Sequence, residues 1–330
     1  MIVLKYPAFR PGKMLGNNHF QTIGAFLFPG VTHKRPSKKH VVPLSDGDNI
    51  AIHDDQPDNW ITGDRICILV HGLCGFHGSP YMRRIAHKVN RNGVRTIRID
   101  MRGFGDSTLI SRGHVSAALS RDIDDVVKYV HNLSPISKMT LVGFSLGAAI
   151  LLKALGEWSH EHPRCVDSAI AVSPPIDLNY SVANLSKFGN RIYDLYFMRR
   201  LRNQLKYRRR HVKGIIDNGL NPIPRRLVHF DDQFTAPVSG FSGAREYYRQ
   251  ASAAPLLRDV SVPTLIVAAK DDPVVPIEMF DQWPMSPEIE MVTTKHGGHL
   301  GFVGRPGVDP DRHWLDWRIS QWVASIDDPA

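Results

Sequence analysis

The chain has 330 residues, of which 42% are hydrophobic and 22% are charged, so the composition excludes a disordered chain, a collagen-like chain and a coiled coil. Lys and Arg number 41 against 32 Asp and Glu, and the resulting net charge of +9 suggests an anionic partner as a prior expectation only. Three cysteines, Cys67, Cys74 and Cys165, are too few for a disulfide framework and indicate a reducing compartment.

The first 20 residues lack the unbroken apolar run and the small-residue cleavage site of a signal peptide. No stretch approaches 18 consecutive apolar residues, the length that indicates a membrane-spanning helix. We therefore expect a soluble, cytoplasmic protein. The sequence leaves its oligomeric state open.

Residues 1–45 are rich in Pro, Gly and basic residues, which predicts an irregular arm that packs on the core. From there, short apolar runs alternate with amphipathic stretches. This alternation predicts an α/β fold with a mainly parallel central sheet flanked by helices, formed by residues 46–175 and 241–330. The predicted strands are 65–70, 95–100, 139–144, 168–172, 264–269 and 290–294. The predicted helices are 79–91, 120–133 and 146–158.

Residues 176–240 break this alternation and are predicted to form a helical, basic cap. They carry 12 Lys and Arg against 5 Asp and Glu, which accounts for most of the net charge. An insertion late in the sheet would lie above the carboxyl ends of the strands, where α/β proteins bind their ligands. The run at residues 208–211 (RRRH) is most simply a solvated face of this cap, although it could attract acidic esters or anionic lipid surfaces.

The motif Gly-Phe-Ser-Leu-Gly at residues 143–147 lies between an apolar strand and a helix. This is the context of a nucleophile elbow, in which a sharp turn exposes the serine hydroxyl above the sheet. The flanking glycines are needed because side chains there would collide with the neighbouring strand or helix. The motif predicts Ser145 as a nucleophile.

A serine hydroxyl needs a base and a group that orients the base. In this arrangement the acid follows the serine and the histidine comes last. The apolar run 264–269 ends just before two aspartates, and Asp272 opens the turn DPVVP, so it is the predicted acid. Asp271 is the close alternative, and Asp177, one strand earlier, is a more distant one.

The predicted base is His299, which follows Gly297 and Gly298 on a loop near the carboxyl end of the chain. The glycines would allow the loop to swing over the serine. His296 is the alternative.

An oxyanion needs two backbone donors. The N–H of Leu146, directly after the serine, is one candidate, and the N–H of Leu73 in the early loop HGLCG is the other. His71 in that loop is expected to be a packed imidazole. Cys74 could act as a nucleophile, but it lacks an elbow.

Three weaker motifs favour ordinary structural explanations. A metal could be held by a cluster at the end of a surface helix, but such a cluster is more often chance; it comprises His160, Glu161, His162 and Cys165. The basic run at residues 208–211 lacks any accompanying nucleic-acid module, so we expect no nucleic-acid partner. Gly103 and Gly105 do not form part of a phosphate-binding loop motif.

Taken together, HGLCG, DMRGFGDS, GFSLG, DDPVVP and GGHLGF resemble the α/β-hydrolase superfamily from about residue 45 onward. More narrowly, GNNHFQTI at residues 16–23 and HGLCGFHGSPYMRRIA resemble the YheT-type hydrolases. That resemblance implies an α/β-hydrolase fold with an inserted cap. It also implies activity on acyl esters and a catalytic set of Ser145, Asp272 and His299.

These observations predict a serine hydrolase that cleaves short- to medium-chain carboxylic esters through an acyl-enzyme, with no metal or organic cofactor. The alternatives are acyl transfer to an alcohol by the same residues, a lysophospholipase- or phospholipase-like lipid hydrolase, and a non-catalytic binding protein on the same fold.

Overall fold

An eight-stranded sheet forms the centre of the molecule. The computed structural model of the protein describes residues 7–12, 16–27, 30 and 37–326. The strands are β1 (Lys38–Pro43), β2 (Asn49–Asp55), β3 (Ile66–Val70), β4 (Arg95–Asp100), β5 (Met139–Phe144), β6 (Val166–Val172), β7 (Thr264–Ala269) and β8 (Ile289–Thr294). Their order across the sheet is β1-β2-β4-β3-β5-β6-β7-β8, and all neighbours from β4 to β8 run parallel. The predicted α/β class with a mainly parallel sheet is confirmed.

Helices cover both faces of this sheet. They are α1 (Asn18–Leu27), α2 (Pro80–Arg91), α3 (Ser120–Leu133), α4 (Leu146–Trp158), α5 (Leu178–Ser186), α6 (Arg191–His211), α7 (Leu227–Phe230), α8 (Ala236–Val238), α9 (Ala244–Ala251) and α10 (Trp314–Ser325). Every residue of β3, β5 and β7 is buried, because apolar clusters pack on both faces of the parallel strands. Each helix in the described part of the chain is too short or too polar to cross a lipid bilayer.

Strands β1 and β2 extend the sheet at one edge in antiparallel order. The expectation of an irregular arm over residues 1–45 is wrong at two places, since β1 and helix α1 both fall within it. Strand β2 was not predicted from the sequence because it ends in polar residues, although these residues are buried in the structure. Asp54 and Asp55 pair with Arg95 and Arg98 of the neighbouring β4, so their charges are compensated inside the sheet.

Residues between β6 and β7 carry the helices α5 to α9, of which α5 to α8 lie within the predicted cap at 176–240 and α9 follows it. The longest, α6, buries side chains at intervals of three and four residues, such as Met198, Leu201 and Leu205. The interpretation of the basic run as a solvated face is wrong for one member. Arg208 is fully buried and donates to the carbonyl oxygens of Thr108 and Ser111 at 3.1 and 2.6 Å.

Candidate active site

The turn after β5 has the geometry of an elbow. Ser145 has φ 50° and ψ −120°, a conformation that non-glycine residues rarely adopt, and it directly precedes α4. A Cβ at Gly143 would lie 2.6 Å from Cα of Ala148, and one at Gly147 would lie 2.4 Å from the carbonyl oxygen of His71. The steric requirement predicted for the two glycines is therefore present in the fold.

Three side chains from three different strand ends meet at this turn. Nε2 of His299 lies 2.8 Å from Oγ of Ser145, and Nδ1 of His299 lies 2.9 Å from Oδ2 of Asp272. Because a carboxylate only accepts, the shared proton is on Nδ1, which leaves the Nε2 lone pair facing the serine hydroxyl. All three residues are 8% exposed, so the array is largely screened from water.

The second carboxylate oxygen of Asp272 is held by the turn that follows it. Oδ1 accepts hydrogen bonds from the N–H groups of Val274 and Val275 at 2.8 and 2.9 Å. These two donors fix the direction of the carboxylate. Asp272 therefore presents an oriented oxygen to the imidazole.

The alternative residues from the sequence occupy other positions. Asp271 contacts His296 instead, with 3.3 Å between Oδ2 and Nδ1. Asp177 caps α5 by accepting the N–H of Tyr180. Cys74 is buried, and burial raises the pKa of its thiol to about 12, so it is not a thiolate at neutral pH.

The loop after β3 packs directly against the serine. A Cβ at Gly72 would lie 3.1 Å from Cβ of Ser145. Within the described chain, no hydrogen bond is found for the N–H of Leu73 or of Leu146, and both residues border the space in front of Ser145. Two free backbone donors beside a nucleophile can stabilise an oxyanion.

His71 at the start of this loop is a packed imidazole, as expected. Its Nε2 accepts the N–H of Met101 at 3.1 Å, and its Nδ1–H donates to the carbonyl oxygen of Gly72 at 2.8 Å. Burial lowers the pKa of His71, so the ring is neutral. It fixes the loop rather than taking part in chemistry.

Residues of the N-terminal segment also contact the site, and these contacts were not predicted from the sequence. Oγ1 of Thr22 accepts the N–H of His299 at 2.9 Å, and the amide of Gln21 forms two hydrogen bonds with the backbone of Val303. His19 lies on α1 together with Thr22, and it joins α1 to α6 through a 2.8 Å hydrogen bond between its Nδ1 and Oη of Tyr193. The motif GNNHFQTI contains these residues, but a contact across 277 positions leaves no local signal.

Two cavities meet at Ser145. The first lies beneath the cap and has about 100 Å³ of space for water; its lining is mainly apolar and includes Leu146, Val182, Leu201, Phe230 and Phe234. The second is wider, with about 540 Å³, and its lining includes His299, Tyr81, Tyr193, Tyr196 and Arg200. Besides Ser145, the two cavities share Leu73, Phe197 and Val274 in their linings.

One group of possible metal ligands exists in the described residues, away from the serine. Ligand atoms of His53, His77 and Asp100 lie within 4.8 Å of one another. The two imidazoles stack with centroids 3.4 Å apart and planes 17° apart, so their lone pairs lie in two separate, nearly parallel planes, and one ion cannot lie in both. Asp100 accepts both the backbone N–H and Nδ1–H of His77, at 2.6 and 2.7 Å, and thereby anchors the far end of the loop that carries Leu73.

Comparison with known proteins agrees with the fold. The sequence profile for the alpha/beta hydrolase fold matches residues 67–306. The chain is 28% identical over 321 residues to a protein of Escherichia coli K12 named "Putative esterase YheT", covering 96% of this chain and 93% of that one. It is 25% identical over 322 residues to the human phospholipase ABHD3, covering 91% and 75% of the two chains.

Among solved structures, the chain is similar to Est1E from Butyrivibrio proteoclasticus, with a TM-score of 0.54 and 19% identity over 88% of this chain and 98% of the other. The esterase Pf2001 of Pyrococcus furiosus gives a TM-score of 0.55 at 16% identity, covering 95% and 98%. At such low identity these similarities show the fold alone. The resemblance found in the sequence motifs is confirmed.

Proposed function

The chain belongs to the alpha/beta hydrolase family, and from this premise we propose that it is a serine-type hydrolase of carboxylic esters. The observation that carries the proposal is the continuous hydrogen-bonded array of Asp272, His299 and Ser145. A serine hydroxyl that faces an imidazole lone pair can lose its proton as it attacks, and the carboxylate stabilises the imidazolium that forms.

The proposed reaction has two steps. Oγ of Ser145 attacks the ester carbonyl while Nε2 of His299 takes the hydroxyl proton, and the N–H groups of Leu73 and Leu146 stabilise the oxyanion. His299 then gives this proton to the leaving alcohol, which leaves an acyl-enzyme on Ser145. Water attacks the acyl-enzyme with His299 again as the base, and the acid product is released.

The two cavities take different parts of the ester in this proposal. The leaving oxygen must come within hydrogen-bond reach of Nε2 of His299, and His299 borders the wide cavity. The alcohol part therefore occupies the wide cavity, and the acyl chain occupies the narrow one beneath the cap. A narrow, mainly apolar pocket suits a short- to medium-chain acyl group.

An activity-based probe tests the nucleophile directly. A fluorophosphonate should label the wild-type protein at Ser145, and Ser145→Ala should abolish labelling and lower the turnover of p-nitrophenyl esters by about 10³- to 10⁶-fold. A chain-length series of the same esters should give an optimum at short to medium chains. Labelling that persists in Ser145→Ala would show that another residue is the nucleophile. Ethanol added to the assay would reveal acyl transfer as ethyl ester product.

Contact with anionic lipid surfaces is a further part of the proposal. Ile23 (43% exposed) and Ile192 (57%) line the wide cavity, and the exposed Phe188 (89%) lies four positions before Ile192 in the chain. Basic residues on the same segment, such as Arg191 and Arg199, would face anionic head groups. Flotation with anionic vesicles should recover more wild-type protein than the double variant Phe188→Ser/Ile192→Ser. Equal recovery would remove this part of the proposal.

A further inference from the structure

The wide cavity has one permanently charged group in its lining. Arg200 of α6 is the single Lys, Arg, Asp or Glu among the described residues that border it, and most of the remaining lining is apolar. Arg200 is exposed as well as lining the cavity, so its charge is accessible both to water and to a ligand in the cavity. A ligand in the wide cavity would therefore meet this one charged side chain among the described residues.

The contacts of Arg200 leave most of its hydrogen-bonding capacity unused. Nη2 donates to the carbonyl oxygen of Cys74 at 3.3 Å, and the guanidinium lies 5.8 Å from the ring centroid of Tyr196. Arg200 forms no ion pair within the described chain, whereas two other cap arginines do: Arg209 pairs with Asp217, and Arg226 pairs with Asp194. A guanidinium has five N–H donors along its edge, so several of those of Arg200 are available to a ligand.

A contact with the loop after β3 relates the position of Arg200 to the reacting atoms. Cys74 directly follows Leu73, so the bond to the Cys74 carbonyl holds the guanidinium beside the loop that faces Ser145. The same cavity contains His299, which must protonate the leaving alcohol. Arg200 therefore borders the space that the alcohol part of the ester would fill.

We propose that Arg200 binds an anionic group, a phosphate or a carboxylate, on the alcohol part of the ester. The forked guanidinium matches the paired oxygens of either group and can bind them through two parallel hydrogen bonds. The substrate class is then an acyl ester of a small phosphorylated or carboxylated alcohol. This inference rests on the proposed function, because it assigns the alcohol to the wide cavity.

The test compares esters that share one acyl chain and differ in the charge of the alcohol. Suitable substrates are monodecanoylglycerol as the neutral ester, decanoylglycerol 3-phosphate as the phosphate and O-decanoyl-lactate as the carboxylate. In Arg200→Gln, kcat/KM for the charged esters should fall about 10- to 100-fold, as for a lost hydrogen bond to a charged group. Neutral ester hydrolysis should change less than about 3-fold. The phosphate and carboxylate arms show which anion the site prefers.

Two further variants separate charge, geometry and general effects. Arg200→Lys keeps the charge without the fork and should retain only part of the preference for charged esters. Lys206→Gln removes an exposed charge of the same helix that does not border the cavity, and it should leave all rates unchanged. Glycerol 3-phosphate should inhibit neutral ester hydrolysis by the wild type and inhibit Arg200→Gln much less.

Equal losses on neutral and charged esters would overturn the inference, because they would mean that Arg200 only attaches α6 to the loop after β3. Unchanged rates on all three esters would overturn it as well. Failure of the proposed function has a different signature, since a wild-type protein without fluorophosphonate labelling and without ester turnover would give no rates to compare on any substrate.

Discussion

Asp271 and Asp272 are adjacent in the chain, yet each contacts a different histidine. Oδ2 of Asp272 lies 2.9 Å from Nδ1 of His299, whereas Oδ2 of Asp271 lies 3.3 Å from Nδ1 of His296. The other oxygen of Asp271 accepts the N–H of Gly298 at 2.9 Å, so this residue also holds the loop that carries His299. The side chain of Asp272 is almost completely buried, and that of Asp271 is one-fifth exposed.

This pair allows a matched comparison of two asparagine variants. We expect Asp272→Asn to lower kcat by about 10⁴-fold, because an amide favours the wrong tautomer of His299 and cannot stabilise the imidazolium. Asp271→Asn keeps an oxygen that accepts from Gly298, so it should lower kcat by less than about 5-fold. Ester turnover of both purified variants measures the difference. A larger loss in Asp271→Asn would mean that the wrong carboxylate has been assigned.

The parallel part of the sheet was predictable to within one or two residues from the sequence. The predicted strands 95–100, 139–144 and 264–269 agree with β4, β5 and β7 at both ends, because each is a buried run bounded by polar or glycine-rich turns. Parallel strands place their carboxyl ends at one edge, so motifs that follow β3, β5, β7 and β8 had to meet. This explains why Ser145, Asp272 and His299 could be expected to lie close together before their distances were known.

What could not be predicted depends on pairing between distant residues. Strand β2 contains His53, Asp54 and Asp55, which indicate an exposed segment until their buried partners on β4 are known. Likewise, nothing local to Thr22 shows that it contacts His299. Arg208 has the same chemistry as Arg210, and only the packing of α6 makes one buried and the other exposed.

The contact between Thr22 and His299 should affect turnover. Thr22→Val removes the oxygen that accepts the N–H of His299 but nearly keeps the side-chain volume, so a buried donor loses its partner. We expect kcat to fall about 10-fold, with fluorophosphonate labelling slowed to a similar degree. Thr22→Ser keeps the hydroxyl and should restore most of the rate. If Val and Ser variants have the same activity, the hydroxyl has no role in positioning His299.

Asp231 should make stability depend on pH. Burial raises the pKa of this carboxyl from its ordinary 3.8 to about 6, and its oxygens accept hydrogen bonds from Thr235 and Tyr248 at 2.8 Å each. The folded protein therefore binds this proton more tightly than the unfolded chain does. The stabilisation from this proton is fully present below about pH 4 and is lost as the pH rises through 6.

Asp231→Asn removes this titration while it keeps an acceptor for one of the two hydroxyls. Its free energy of unfolding relative to wild type should rise by about 2 to 3 kcal/mol between pH 4 and pH 7. Burial lowers the pKa of His114 to about 3, which gives the opposite slope, but His114 is common to both proteins and cancels in the difference. Urea unfolding at several pH values measures the change. A difference that is independent of pH would contradict the raised pKa.

Two residues of the basic run in α6 should differ in their effect on stability: Arg208 should be structural, and Arg210 should be dispensable. Besides the two carbonyl oxygens, Arg208 donates through Nη1 to Nδ1 of His114 at 2.9 Å, and burial lowers its pKa to about 10, so the guanidinium is still charged at pH 7. Arg208→Gln leaves several buried acceptors without a donor and should lower the free energy of unfolding by about 2 to 4 kcal/mol. Arg210 is exposed, and Arg210→Gln should change it by less than about 0.5 kcal/mol. Urea unfolding at pH 7 measures both values. Equal stability of the two variants would show that the buried contacts of Arg208 do not hold the cap to the core.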